Sequence, residues 1–246
     1  MTAYNTLAAA YDGLTTDIPY EGILTFLEAI LQRSGKQPET VLDLACGTGS
    51  MSLLLAQKGY RVIASDISEE MLTEAAQKAA ALENPPFFIC QPMQRLRLPE
   101  PVDAVICLLD SLNYLDEPKD CQKTFERVFK ALKPGGVFLF DINTPEKLKG
   151  LDGQVFLDEN EESYCVWRAD FDIQENRCYY GIDLFRKREK LWERSFEQHC
   201  EYAYSPEQLT EWLKACGFTD IRQYGDCTMD EPKAGEQRIY FSAVKE

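Results

Sequence analysis

The stretch Val41-Leu42-Asp43-Leu44-Ala45-Cys46-Gly47-Thr48-Gly49-Ser50 decides how this chain folds. Its first half is an apolar run of strand length, interrupted only by the acid Asp43. Its second half carries two glycines among small side chains. A strand that passes through a bare turn into a helix is the unit from which parallel sheets are wound. Glycine in that turn lets the backbone bend tightly, expose its amides and admit a ligand without a Cβ in the way.

The same alternation recurs on both sides of this stretch. Residues 20–34 place Ile23, Leu24, Leu27, Ile30 and Leu31 at helical spacing. After the turn, a helix through Met51, Leu54 and Leu55 runs to Gly59. Strands are then expected at 61–65, 87–90, 104–109 and 137–142, with helices between them. Ser68 is placed to cap the first of these helices, with Glu69 and Glu70 in its first turn. The helix expected over 118–132 ends before the turn Lys133-Pro134-Gly135-Gly136. Strands this uniformly apolar are buried on both faces, so a doubly wound, Rossmann-like α/β fold is expected.

Past Pro145 the period changes. Residues 155–204 alternate apolar and polar side chains between turn signals such as Glu175-Asn176, which predicts antiparallel strands with one solvated face. Ser205-Pro206-Glu207-Gln208 then forms a capping box that opens a helix ending at Gly217, and strands near 221–224 and 238–244 close the chain as a hairpin. The expected organisation is a core over 1–150 with an N-terminal helical arm, an antiparallel insert over 151–204 covering the substrate side, and a C-terminal helix and hairpin over 205–246. These complete a seven-stranded, mostly parallel sheet.

Composition narrows the function classes. The 246 residues are 45% hydrophobic and 27% charged, with a formal net charge of −15, which disfavours a nucleic-acid binder. Arg186-Lys187-Arg188 reads as a solvated charged strand and turn amid acids. No apolar run is long enough to span a membrane. Nine singly scattered cysteines without an export signal point to reduced thiols in the cytoplasm, and a single histidine gives no metal-ligand cluster.

Asp66 ends the second strand, where nucleoside-binding folds place an acid on the ribose hydroxyls. The pyrophosphate fingerprint Gly-x-Gly-x-x-Gly, however, lacks its third glycine here, since Gly49 is followed by Ser50-Met51-Ser52. A ligand with an amino-acid end and no phosphate suits the turn better, with acids meeting its cation.

At this point the chain resembles the class I S-adenosylmethionine-dependent methyltransferases. Val41–Gly49 is similar to the family's first motif, Ala64-Ser65-Asp66-Ile67-Ser68 to its acidic strand end, and Leu132-Lys133-Pro134-Gly135-Gly136 to the turn before its fifth strand. Tyr11-Asp12, Ile18-Pro19-Tyr20 and the run Asp110-Ser111-Leu112-Asn113-Tyr114-Leu115 resemble a bacterial subgroup of small methyltransferases with an antiparallel insert.

The resemblance implies S-adenosyl-L-methionine as cofactor, with Ala45, Cys46, Gly47 and Gly49 along its methionine part and Asp43 near its amino group. Asp66 would take the ribose diol, Ile67 and Met71 would pack by the adenine, and Gln91 and Met93 would flank its other side. Leu109 and Asp110 would reach the methionine end, and Tyr4 and Tyr11 would close over the cofactor, where aromatic faces suit a sulfonium. The subgroup often carries Gln-Asp-Met where this chain has Gln91-Pro92-Met93. Pro92 offers neither carboxylate nor amide donor, which leaves Gln91 or Gln94 to meet the adenine amino group.

Methyl transfer is an in-line displacement in which alignment does most of the work, and a base is needed only where the acceptor must lose a proton. Asp110, Tyr114 and His199 are the candidate catalytic residues, and Trp167, Tyr179 and Tyr180 a candidate acceptor wall. A small-molecule acceptor is expected. The alternatives are a tRNA or protein methyltransferase, a non-catalytic module that senses the cofactor, and an NAD-dependent oxidoreductase.

Overall fold

The computed structural model describes residues 7–33, 35 and 37–246, so Tyr4 lies outside the described residues. In chain order the elements are α1 (Ala8–Leu14), α2 (Tyr20–Arg33), β1 (Thr40–Leu44), α3 (Ser50–Gln57), β2 (Arg61–Asp66), α4 (Glu69–Ala79), β3 (Phe87–Cys90), β4 (Val102–Cys107), α5 (Pro118–Ala131) and β5 (Leu132–Asn143). They continue with α6 (Pro145–Gly150), β6 (Val155–Glu159), β7 (Ser163–Asp172), β8 (Arg177–Arg188), β9 (Leu191–Tyr202), α7 (Pro206–Cys216), β10 (Phe218–Tyr224) and β11 (Arg238–Lys245). Short 3-10 turns occupy Met93–Arg95 and Ser111–Tyr114.

Seven strands form one sheet in the order β10-β11-β5-β4-β1-β2-β3, with β11 antiparallel to its neighbours. From β1 the chain winds outward through β2 and β3, then returns to place β4 on the other flank. The strand order therefore reverses between β1 and β4, and an open α/β sheet binds ligands at the carboxyl ends beside such a switch. The apolar runs are buried on both faces: one face packs on α5 and α7 through Phe125, Val128, Leu209 and Leu213, the other on α2 and α3 through Leu24, Leu27, Met51 and Leu55.

The caps form as their sequences dictate. Ser68 Oγ accepts the N–H of Met71 at 3.2 Å, and Ser205 Oγ accepts that of Gln208 at 3.2 Å. Within β5 the pairing with β4 jumps from Val102↔Leu132 to Ala104↔Val137, so the Lys133–Gly136 turn is a loop-out inside a longer strand. β4 stops at Cys107, two residues before the expected 109, because Leu109 and Asp110 turn left-handed (φ 57° and 54°).

A second, four-stranded antiparallel sheet, β6-β7-β8-β9, fills the segment between α6 and α7. Its inner face carries Cys165, Cys178, Ile182 and Leu184 against Leu7 and Ala10 of the arm and Leu148 of α6. Its edge strand β9 lies against the Ser111–Tyr114 turn, where Asn113 Nδ2 donates to the carbonyl of Tyr202 at 3.0 Å.

Candidate functional site

A cleft of about 540 Å³ opens at the carboxyl ends of β1, β2 and β4. Its floor is the turn after β1. Ala45 and Gly47 are left-handed (φ 61° and 54°), and a Cβ at Gly47 would meet no atom within 4 Å. The turn is tied to β2 through Asp66, whose Oδ2 accepts the Gly47 N–H and whose Oδ1 accepts the Ser68 N–H, both at 2.9 Å. Each carboxylate oxygen keeps a lone pair for a hydroxyl in the cleft. Burial raises the Asp66 carboxyl, opposed by the hydrogen bonds from Ser68 and Gly47.

Asp43 also lines the cleft, almost wholly buried, and accepts the hydroxyl of Ser52. Burial pushes its carboxyl up to about 7, Ser52 pulls against that shift, and the neighbouring Asp66 adds to it. A cation arriving beside Asp43 would reverse the shift and be held by it.

Gly49 corrects the sequence-based expectation: it is not on the cleft wall. A Cβ there would stand 2.9 Å from the Ala75 Cβ, and the residue is left-handed (φ 78°), so its missing side chain lets α3 close onto α4. Gln91 lines the cleft, but its amide is used to pin the following loop: Oε1 accepts the N–H of Arg97 at 3.1 Å, and Nε2 donates to the Arg97 carbonyl at 3.4 Å. Pro92, Met93 and Gln94 complete that wall. Opposite stand Met71 and Ile67, the latter 50% exposed, an apolar surface that a flat heterocycle would cover.

The far end of the cleft is shaped by Asp141, which is fully buried. Its carboxylate accepts the N–H groups of Leu109 (2.7 Å) and Asp110 (2.9 Å) and holds them left-handed. Arg238 of β11 binds both Asp141 and, at 2.6 Å, Asp110. Burial works against the Arg238 charge, and Asp141 and Asp110 more than offset it. Leu109 lines the cleft, and the Asp110 carboxylate beside it is paired through Oδ1 with Arg238.

Tyr114 and His199 come together on the cleft wall, with Tyr114 Oη 3.3 Å from His199 Nδ1. His199 Nε2 lies 3.0 Å from Glu197 Oε2. Tyr11 of α1 lines the same cleft, and Asp12 clamps the arm down by accepting from Thr48 Oγ1 (2.6 Å) and Lys78 Nζ (2.5 Å). Of the expected acceptor wall, Trp167 packs edge-on to His199 with centroids 6.2 Å apart, and Tyr180 is register-paired with His199. Tyr179 is turned instead to Glu175 at 2.5 Å. Sequence reasoning passed over Thr48, Gln198 and Cys200 on the wall, and Glu197, Asp141 and Arg238 behind it.

The cleft therefore combines a bare backbone turn, two carboxylates at adjacent strand ends and an apolar slot, which fits an adenosyl group with an amino-acid end. The sequence profile of the methyltransferase domain family matches residues 41–136. The Bacillus subtilis (strain 168) protein named "Putative methyltransferase YqeM" is 35% identical over 244 residues, covering 98% of this chain and 97% of that protein. A glycine/sarcosine N-methyltransferase of Aphanothece halophytica is 26% identical over 204 residues, 82% of this chain and 73% of the relative. Among solved structures, an S-adenosylmethionine-dependent methyltransferase from Clostridium acetobutylicum ATCC 824 superposes with a TM-score of 0.88 at 30% identity, covering 99% of both chains. Fold, cleft and kinship agree: the chain belongs to the class I S-adenosylmethionine-dependent methyltransferases.

Proposed function

We propose that this enzyme methylates a small molecule that enters between the core and the insert and meets the cofactor beside Tyr114 and His199. The observation that carries the reading is the continuity of one cleft. Its walls run from Asp66 past Leu108 and Leu109 to Tyr114 and on to Gln198, His199 and Cys200 of β9. Core and insert thus share a single chamber, with the insert as the cover on the acceptor side.

S-adenosylmethionine supplies a methyl group on a positively charged sulfur. Asp66 receives the ribose hydroxyls, Asp43 faces the cofactor's ammonium, and Ile67 and Met71 bracket the adenine. Ala45, Cys46 and Gly47 leave room for the methionine end, with Leu109 beside it and Tyr11 closing from the arm. Alignment inside a cleft that sheds water is worth up to ~7–11 kcal/mol of the barrier to such a displacement.

A small acceptor accords with the cleft's enclosure by the insert, and the glycine/sarcosine enzyme among the relatives has an acceptor of that size in its name. No helix among the described residues is long and apolar enough to cross a membrane, and the nine cysteines are free thiols, which suits a reducing cytoplasm. The test is incubation of the pure chain and methyl-labelled cofactor with separated small-molecule, protein and RNA pools from a bacterial lysate. Label is expected in the small-molecule pool; label confined to protein or RNA overturns the reading.

A further inference from the structure

Resting on that reading, we propose that the acceptor is an amine that enters as its ammonium form and gives up a proton through Tyr114, His199 and Glu197 before it is methylated. The first observation is a directed chain of hydrogen bonds. A carboxylate only accepts, so Glu197 Oε2, 3.0 Å from His199 Nε2, fixes the ring proton on Nε2 and leaves Nδ1 as an acceptor. Nδ1 then takes the phenolic proton of Tyr114, 3.3 Å away. The imidazole is completely buried, held edge-on between Tyr114 and Trp167, with centroids 5.7 and 6.2 Å away. Glu197 is itself anchored by the N–H of Leu7 at 3.1 Å. The chain thus leads from the cleft, at Tyr114, to a carboxylate on the buried face of β9.

The second observation is the charge of the chamber. Besides Asp43, which meets the cofactor's ammonium, and Asp120, the described residues that line it include the carboxylates of Asp66 and Asp116 and no lysine or arginine. Two cations held against lining residues are taken up by acids: Lys123 by Asp120 at 3.0 Å, and Arg177, which donates to the Asp116 carbonyl, by Glu117 and Glu175 at 3.1 and 3.2 Å. In a chain of net charge −15, this field draws a cationic acceptor in and repels a carboxylate or phosphate.

The two observations meet in the chemistry of an ammonium group. With a pKa of about 10, as for a lysine side chain, an alkylamine near pH 7 is almost wholly protonated and has no lone pair with which to attack. The N–H proton passes to Tyr114 Oη while the phenolic proton passes to His199 Nδ1, and Glu197 stabilises the imidazolium. The freed nitrogen lone pair forms the N–CH₃ bond, and the S–CH₃ bond breaks with its electron pair left on sulfur. The positive charge moves from sulfur to the methylated nitrogen, and the imidazolium returns its proton to water. Tyr114 is the catalytic residue of this step, and His199 and Glu197 act through it.

Among the described residues, the titratable groups on the elements packed around the imidazole include Tyr114 from the turn after β4, Glu197 and Glu201 from β9, Tyr180 from β8 and Tyr11 from α1. Burial holds Tyr180 and Tyr11 away from ionisation and raises the Glu201 carboxyl, with Asp110 adding to the shift. All three are common to wild type and the variants, so the ratio of their rates isolates the chain.

A deproteinised bacterial metabolite extract, split by ion exchange into cationic, neutral and anionic fractions, is incubated with the enzyme and methyl-labelled cofactor. Label is expected in the cationic fraction; label confined to the neutral or anionic fraction overturns the amine. Label in no fraction overturns the small-molecule reading itself, so the two failures are distinct. On the cationic fraction, Glu197→Gln is expected to lower the rate about 10- to 100-fold at pH 7. That deficit should shrink as pH approaches 10, where the free amine needs no base, and Tyr114→Phe should follow the same course. S-adenosylhomocysteine should bind Glu197→Gln within about twofold of wild type, which establishes that the fold and cofactor half are intact. A deficit that stays constant across pH overturns the proton chain.

Discussion

The two sheets bury charge in opposite ways. In the core, Asp141 is fully buried and Arg238, 17% exposed, reaches it from the last strand. In the insert, Asp183 is almost as buried, yet its partners Arg168 and Arg194 are 45% and 60% exposed. Both acids sit mid-sheet beside arginine. Only the core acid also holds backbone, the left-handed Leu109 and Asp110, against the cofactor cleft. On the proposed reading the core supplies the cofactor half through main chain and strand ends, and the acceptor half joins Tyr114 of the core to side chains from an edge strand of the insert. Disturbing the core should therefore affect fold and cofactor together, while disturbing the insert should affect turnover.

The largest test of that difference compares the two arginine sets. Arg238→Met leaves Asp141 and Asp110 without their counter-charge in the interior, and breaking a buried pair from one side costs about 3–5 kcal/mol. Arg194→Met strips an exposed partner from an acid that Arg168 still holds, and should cost within about 1 kcal/mol. Urea unfolding midpoints of the two variants measure the contrast; equal losses would erase it.

Next in size is Asp66→Ala, which removes the acceptor for two backbone amides and, on the proposed reading, for the ribose hydroxyls together. One charge-assisted hydrogen bond is worth about 1.5–3 kcal/mol, so S-adenosylhomocysteine affinity should fall roughly 10- to 150-fold by calorimetric titration. His199→Ala, on the insert, should leave that affinity within about twofold. A shared loss would mean that the two halves do not divide the work.

The same division explains what could be read without coordinates. The turn at Ala45–Gly47 and the acid at Asp66 were legible because their chemistry lies in short contiguous runs at strand ends. Gly49 was misplaced because a glycine that admits a ligand and one that admits Ala75 look alike in sequence. The pairing of Asp110 with Arg238 could not be read because the two lie 128 residues apart, a distance over which periodicity carries no information. Glu197 left a signal that went unused: two residues before His199 on an alternating strand puts it on the same face. Its pairing with the imidazole was thus open to inference, whereas the proximity of Tyr114, 85 residues earlier, was not.

A smaller effect comes from Asp43, whose folded pKa of about 7 stands above the 3.8 of an ordinary aspartate. The folded state therefore binds more protons than the unfolded state between about 4 and 7, so Asp43's contribution to stability falls as pH rises through that window. Cofactor affinity should run the other way, because an ammonium beside Asp43 favours the ionised form. Affinity for S-adenosylhomocysteine should climb from pH 5.5 to 7.5, by at most about tenfold per unit, and level off above. Asp66 is shifted in the same direction, so Asp43→Asn should flatten the profile rather than abolish it. An unchanged slope in that variant would remove Asp43 from the cofactor's charge balance.

The smallest expected effect concerns adenine recognition, where the core's reliance on main chain gives way. Pro92 has no N–H to donate, and the Gln91 amide is spent on both backbone groups of Arg97. Gln94 also lines that stretch of wall, and an amide oxygen there can accept from the adenine amino group. A single neutral hydrogen bond nets about 0.5–1.5 kcal/mol, so Gln94→Ala should weaken S-adenosylhomocysteine roughly two- to tenfold. A purine lacking the amino group separates recognition from packing. Gln94→Ala should bind S-inosylhomocysteine as wild type does, because no amino group is left to lose. A loss of equal size for both ligands would assign Gln94 to the shape of the wall, leaving adenine held by Ile67 and Met71 through stacking alone.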